Sequence, residues 1–599
     1  MLLRVLVTAL LLIISSTSVD AKPNLLIVTV DDMSADSIGS YGCPIEGISP
    51  HMDGLVRSGM RFQYAHVQVG NCMPGRNVMW SGLYPHNNGV EGFYRVANPQ
   101  HQHLVDMMKA AGYFTAIMGK TSHSTPYHPY PWDAILDTAE DGSSYDKKNP
   151  AHFGEATARG IAAAVEAEKP FCLMVNVSDP HKPFYSGPGD KNQPTLVVSP
   201  EDVPVPGFLF DDPQVRQELA LYYSSVSRAD DCVGEILQAL KLSGQEEKTV
   251  VLFLSDHGMP LPFAKTQLYH HSTHTPLAVR WPGVTKSNTL DEEHMVSAVD
   301  LTPTILEIAG VQGPRMDGRS FASVLKGESQ DGREFVIKEY NENSGRSRDP
   351  IRAVQTKRYL YLANAWANGS RVFATATTGT QTYRRMAVLA ETDEFLARRL
   401  AMYKHRVPEE FYDVEKDPDC LRNLIDSPMH QRLIQQQRDR LLEWMEDTND
   451  HMLDCYRHFD DAEVREAYVI AKEKEATSRK KENSKGTPKP VNAKQKIFKV
   501  TLPTPILAGS NVEYVVNYDI PASLGAQGIT ITLKQGKAGD RVAREVAMIR
   551  GKGKLVVEFK IPDAPVDALV SFATWVGPEY SKNIQFYHTD AIPVKAKTP

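Results

Sequence analysis

Three apolar runs in this sequence end in acidic or histidine-bearing clusters. Asn24–Val30 (NLLIVTV) runs into Asp31-Asp32, Phe171–Val177 into Asp179-Pro180-His181, and Val250–Leu254 into Asp256-His257-Gly258. Ligands of open α/β sheets bind beyond the carboxyl ends of strands, so the three clusters can converge on one site. Asp31, Asp32 and Asp256 offer hard oxygen ligands suited to Ca²⁺ or Mg²⁺. His257 offers a nitrogen ligand or a hydrogen bond. Each cluster alone has a plain alternative, because an Asp-Asp pair is also a common helix N-cap. A fourth segment, Asn71-Cys72-Met73-Pro74-Gly75-Arg76, is more specific. From average residue usage, a Cys-x-Pro-x-Arg arises by chance in only about one such chain in twenty to thirty.

The elements that must position these residues read as α/β. Asn24–Val30, Pro170–Val177 and Thr249–Ser255 are continuous apolar runs, the mark of strands buried on both faces. Helical stretches such as His101–Ala111 and Gln214–Leu242 lie between them. The alternation predicts a large mixed sheet sandwiched by helices over residues 22–332. Beyond Gly332, the stretches Phe335–Tyr340, Ile351–Leu362 and Glu410–Val414 read as strands and Met429–Met445 as a helix. They predict a small antiparallel α+β C-terminal subdomain over 333–465. Residues 466–496 read as a basic linker, with nine basic and three acidic side chains in Lys472–Lys496. Val512–Ile520, Ile529–Lys534, Lys554–Ile561, Ala568–Trp575 and Asn583–His588 then predict an added β-sandwich domain over 497–599. Trp575, Tyr580, Phe586 and Tyr587 in it are candidates for a sugar-binding face, with packing in the sandwich core as the simpler reading.

Composition excludes several classes. Of 599 residues, 42% are hydrophobic and 23% charged, ordinary globular values that rule out a mainly disordered, collagen-like or multi-span membrane protein. Six cysteines are too few to frame a disulfide-rich fold. The 66 basic and 73 acidic residues give −7, with no overall attraction to nucleic acid. Residues from Lys472 onward carry 21 basic and 12 acidic side chains, +9, which leaves −16 on the preceding part. Residues 1–21 read as a signal peptide, with Arg4, a short apolar run to Ile14 and small residues before a cut at Lys22. The run falls short of the ~20 residues a membrane span needs, so no stable membrane insertion is expected. The expected product is exported: periplasmic or extracellular, or lysosomal in a eukaryote.

The Cys72–Arg76 segment resembles the motif of the formylglycine-dependent sulfatase family, whose fold is alkaline-phosphatase-like. Other elements resemble that family in order: Ser49-Pro50-His51-Met52-Asp53, Gly82-Leu83-Tyr84-Pro85-His86, Gly119-Lys120, Asp179 to Phe184, Ser255 to Gly258, and Asp317-Gly318-Arg319-Ser320. The resemblance implies that a maturation partner, a formylglycine-generating enzyme, oxidises Cys72 to formylglycine. It implies that one hydroxyl of the hydrated aldehyde attacks sulfur, while the other later loses its proton and expels sulfate. A serine would attack but would not eliminate in this way. Residue by residue, Asp31, Asp32, Asp256 and His257, with Cys72, match the metal site, Ca²⁺ by family preference and Mg²⁺ as the alternative. Arg76 matches the arginine that steadies the diol. Lys120 and Lys265 match the lysines on the sulfate oxygens. His181 matches the histidine near the leaving oxygen, and His123 the one that deprotonates the diol.

This chain departs from the common pattern in four places: Gly75 stands for Ser, Leu83 for Arg, His257 for Asn, and Lys120-Thr121-Ser122-His123 carries one extra residue. The last two resemble iduronate-2-sulfatases. Asp179 to Phe184 and Ser255 through Tyr269 look more like N-sulfoglucosamine sulfohydrolases. The implied substrate is a sulfated oligo- or polysaccharide. His270, His271 and His274 read as sugar-pocket candidates or as ordinary loop histidines. Two other readings use the same residues: a phosphate or phosphonate ester hydrolase of the same superfamily, and a non-catalytic secreted glycan-binding protein.

Overall fold

The computed structural model describes residues 22–96, 99–343, 347–485, 497–535, 541–562, 569–577, 584–589 and 591–595. The signal segment 1–21, linker residues 486–496 and Tyr580 lie outside them. Residues up to Lys474 and those from Glu475 form two compact units.

The first unit is built on eight strands: β1 (Asn24–Asp31), β2 (Met60–His66), β3 (Phe114–Met118), β4 (Ala134–Ile135), β5 (Phe171–Pro180), β6 (Thr249–Ser255), β7 (Leu277–Arg280) and β8 (Thr289–Ser297). Their spatial order is β4-β3-β5-β1-β6-β7-β2-β8. β1 is central and parallel to both neighbours, with Leu26 opposite Leu173 of β5 and Val251 of β6. β7 runs antiparallel to β6 and β2, which makes the sheet mixed, as expected.

Strand residues alternate between two cores, so a continuous apolar run serves both faces. Leu26, Val28, Val30, Leu173, Val175 and Phe253 enter one core, which the helices Pro150–Glu166 and Pro213–Leu242 cover. Leu25, Ile27, Cys172, Met174 and Leu252 enter the other, under the helices Leu104–Ala110 and Leu301–Ile308. The polar ends of β1, β5 and β6 lie side by side, because these three strands are adjacent and parallel.

A second, antiparallel sheet holds β9 (Phe335–Asn343), β10 (Ser347–Thr356), β11 (Tyr359–Asn364) and β12 (Glu409–Asp413) in the order β12-β11-β10-β9. The stretch Ile351–Leu362, which reads as one strand, is a hairpin: Gln355 pairs with Leu360 across Lys357-Arg358. No glycine or proline marks that turn, which is why the sequence hides it.

In the second unit, β13 (Phe498–Thr501), β15 (Asn511–Asp519) and β18 (Lys552–Lys560) form one sheet. β14 (Ile506–Leu507), β16 (Gln527–Gln535), β17 (Arg541–Ile549), β19 (Leu569–Val576), β20 (Gln585–His588) and β21 (Ile592–Lys595) form the other. Tyr514, Val516, Ile531, Leu533, Phe572 and Val576 pack in a shared core. Core packing of the candidate aromatics is corrected: Phe586 and Tyr587 are 41% and 44% exposed, and Trp575 is half-buried. Trp575 is out of phase with the inward positions Val570, Phe572 and Val576, so its side chain points to the other face.

Candidate active site

Asp31 ends β1, and Asp32 follows with a backbone φ of 69°, a left-handed conformation that aspartate tolerates better than most residues. The Asp32 amide donates to Asp256 Oδ1 at 3.0 Å, which ties the ends of β1 and β6 together. Cys72 begins the helix Cys72–Ser81, and Arg76, four residues on, shares its face. All five side chains, with His257, are buried.

Arg76 is the hub. Its Nε and Nη2 each lie 3.0 Å from Asp256 Oδ2, and Nη2 is 3.7 Å from Asp31 Oδ1. Nη1 donates to Thr29 Oγ1 at 2.9 Å and to Asn176 Oδ1 at 2.6 Å. Past β3, Gly119 turns the chain at φ 70°, and a Cβ there would stand 2.7 Å from the Asn176 carbonyl oxygen. Only glycine fits that approach. The turn delivers Lys120, whose ammonium contacts Asp31 Oδ2. Lys265, in the loop after β6, places its Nζ 2.7 Å from both oxygens of Asp32.

His257 Nδ1 lies 3.0 Å from the Gly258 carbonyl, so this nitrogen carries the proton and donates it. Nε2 then presents its lone pair 3.1 Å from Asp32 Oδ1, 3.8 Å from Asp256 Oδ1 and 3.2 Å from Cys72 Sγ. His181, with its side chain 37% exposed, is at the rim, its Nε2 3.9 Å from Asp32 Oδ2. His123 is mostly buried: desolvation, with the Lys120 and Arg76 charges, pushes its imidazole down to about 3, so it is neutral.

Burial alone raises the Asp31 carboxyl, but the Lys120, His181 and Arg76 charges hold it well below the usual carboxylate range. Asp32 is lowered as well, by Lys265, His181 and His257 against its burial. Burial and the Asp31 charge raise Asp256. Lys120 and Lys265 resist their own burial and stay cationic, held up chiefly by Asp31 and Asp32 respectively.

Candidate ligand atoms of Asp31, Asp32, Cys72 and His257 all lie within 4.8 Å of one another. The donor set fits a hard divalent cation. Both oxygens of Asp31 are buried and face the Lys120 and Arg76 charges, and the free nitrogen of His257 faces the carboxylates. Asp256 stands beside this group with its oxygens engaged by Arg76 and the Asp32 amide. Among the sugar-pocket candidates, His270 and His274 pack on buried His66, with ring centroids 5.6 and 5.3 Å apart, and His271 pairs with Asp419 at 3.1 Å.

Sequence reasoning missed Thr29 and Asn176. Asn176 fills its hydrogen-bonding capacity: it donates to the Met118 and Gly119 carbonyls at 3.0 Å each and accepts from Thr29 at 2.7 Å and Arg76 at 2.6 Å. The available signal was a polar residue at the seventh position of an otherwise apolar run, PFCLMVNV.

Residues 23–311 match the sulfatase family model, and residues 256–368 match the model for the N-sulphoglucosamine sulphohydrolase C-terminal region. Human N-sulphoglucosamine sulphohydrolase is 29% identical over 469 residues, which cover 72% of this chain and 91% of that protein. An ulvan-active sulfatase of Formosa agariphila is 25% identical over 444 residues, covering 73% of this chain and 82% of that one. Among solved structures, a 2-O GAG sulfatase aligns with a TM-score of 0.54 at 20% identity, over 74% of this chain and 96% of that one. The phosphonate monoester hydrolase of Agrobacterium radiobacter aligns with a TM-score of 0.53 at 18% identity, over 71% and 96%. These two structural likenesses bear on the fold.

Proposed function

Because the chain belongs to the sulfatase family, we propose that it removes sulfate from a sulfated oligo- or polysaccharide, using formylglycine made from Cys72 and one Ca²⁺. The observation that carries this reading is the convergence of Cys72, three carboxylates, His257, Arg76, Lys120 and Lys265 at the ends of two adjacent strands. Asp31, Asp32, Asp256 and His257 are the residues that would hold the cation. When bound, it supplies charge that acidifies a hydroxyl and neutralises sulfate oxygens. Formylglycine at position 72 supplies that hydroxyl.

The chain's own side chains do the rest. Three carboxylates face three fixed cations, so the protein part of the cluster is neutral and a divalent ion makes it doubly positive. That charge suits a sulfate ester and a developing negative charge on the nucleophile. Arg76, clamped by Asp256, orients the group at position 72. Lys120 and Lys265 stand close enough to take up sulfate oxygens as charge develops on them. Neutral His123 accepts a proton, and His181 at the rim gives one from Nε2 to the leaving oxygen as the sulfur–oxygen bond breaks.

The relatives' names point to substrates: N-sulphoglucosamine for the human protein and ulvan for the Formosa enzyme. We take a sulfated glycan as the class. Export through residues 1–21 and maturation by a formylglycine-generating enzyme belong to the same reading. Among the described residues, no helix is long and apolar enough to cross a membrane. The test compares a sulfate and a phosphate ester of one alcohol on the purified protein. Faster sulfate turnover is expected; faster phosphate turnover would replace this assignment with the phosphate-ester reading.

A further inference from the structure

His181 has little around it to hold its ring. It follows Pro180, the last residue of β5, and its side chain is 37% exposed. Its Nδ1 donates to the carbonyl of Lys182 at 2.6 Å, so Nε2 is the nitrogen left to exchange a proton. Where that nitrogen points is set by the backbone of the segment Ser178–Lys182.

That backbone is strapped by one ammonium. Lys148, from the loop before the helix Pro150–Glu166, directs Nζ to the His181 carbonyl at 2.7 Å, to Asp179 Oδ1 at 2.5 Å and to the Ser178 carbonyl at 3.4 Å. An ammonium has three N–H donors, and these are three acceptors in one short segment. Asp179 is fully buried and is gripped from the other side by Arg228 of the helix Pro213–Leu242, Nε to Oδ2 at 2.6 Å. Arg228 in turn donates to Asp190 at 3.2 Å and to the Asn192 carbonyl at 2.9 Å. All of the acceptors of Lys148 belong to the His181 segment and none to the carboxylate cluster.

We propose that Lys148 is a positioning residue for His181, fixing the site from which a proton reaches the leaving oxygen. The inference rests on the proton-donor role given to His181 above. Lys148→Met keeps the aliphatic stem and removes the ammonium. The segment then keeps Arg228 but loses its tie to His181 itself, and the imidazole drifts from the leaving group.

The experiment measures kcat and KM of the full-length wild type, Lys148→Met, Lys148→Gln and His181→Ala on nitrophenyl sulfate and phenyl sulfate. Nitrophenolate leaves without help, whereas phenolate needs the proton, and general acid catalysis is worth about 10²–10⁴-fold. Lys148→Met is expected to lose at least about tenfold more kcat on phenyl sulfate than on nitrophenyl sulfate, with KM unchanged. His181→Ala loses more in the same direction, and Lys148→Gln, which keeps two N–H donors, loses less. If Lys148→Met, or Lys148→Gln should Met not fold, loses equally on both esters while His181→Ala discriminates, Lys148 is only structural and the proposal fails. If His181→Ala itself shows no discrimination, or the wild type turns over neither ester, the reading of the site falls first and takes the inference with it.

Discussion

Replacing Asn176 with leucine removes a side chain that touches both the Arg76 guanidinium and the backbone of the turn carrying Lys120. Four hydrogen bonds disappear: two to the Met118 and Gly119 carbonyls, one from Thr29 and one from Arg76. At about 1 kcal/mol net per bond, and more for the bond to a charged group, the loss is on the order of 4–6 kcal/mol. Leucine has the same branched four-atom skeleton and is bulkier, so no cavity adds to it. The carbonyls of Met118 and Gly119 are then left without a side-chain donor beside Lys120, and Arg76 Nη1 keeps only Thr29. A shift of about 1 Å in either cation is expected to lower kcat about 10²-fold. The assay pairs thermal unfolding with turnover of a sulfate ester. Asn176→Asp serves as the partial variant, since it keeps both acceptor contacts and loses both donors. It is expected to retain the Arg76 contact and to weaken inhibition by inorganic sulfate, the readout of a displaced Lys120. A leucine variant with wild-type unfolding temperature and kcat would refute the reasoning.

Chelation by EDTA is expected to abolish turnover and lower the unfolding temperature, with Ca²⁺ restoring both. Any ligand that binds only the folded state stabilises it by mass action. An unfolding temperature indifferent to chelator would argue against a cation at Asp31, Asp32, Asp256 and His257. Burial pushes the Lys338 ammonium down to about 7. The unfolded chain therefore binds more protons than the folded one between about pH 7 and pH 10, and stability rises with pH across that window. Lys338→Met is expected to flatten this rise and to stabilise the protein at pH 7 by a few kcal/mol, read from denaturant unfolding at pH 7 and 9.

How much was legible depended on the range of the interaction. β1, β5 and β6 were readable because each is a single apolar run, and a strand buried on both faces needs nothing else. Their polar ends were readable for the same reason: the pattern breaks where the sheet stops. The residues of the β10–β11 hairpin were not separable, because Lys357-Arg358 turns the chain without a glycine or proline. β17 was missed because its outward positions Val542, Val546 and Met548 are apolar and exposed, which erases the alternation. Asn176, Thr29 and Lys148 act through contacts spanning 30 to 147 positions, and nothing local marks such partners. Motif order could name the residues that meet at the site, but only the sheet could show which polar neighbours hold them.

Turnover depends on the chemical identity of position 72. Protein made in its native host, digested with trypsin, yields the peptide Phe62–Arg76, in which Cys72 is the sole cysteine. The expected mass has one sulfur and two hydrogens replaced by one oxygen, the change from cysteine to formylglycine, and Cys72→Ala is expected to fold but not to turn over. An intact thiol on that peptide, in protein that still hydrolyses sulfate esters, would contradict the central claim.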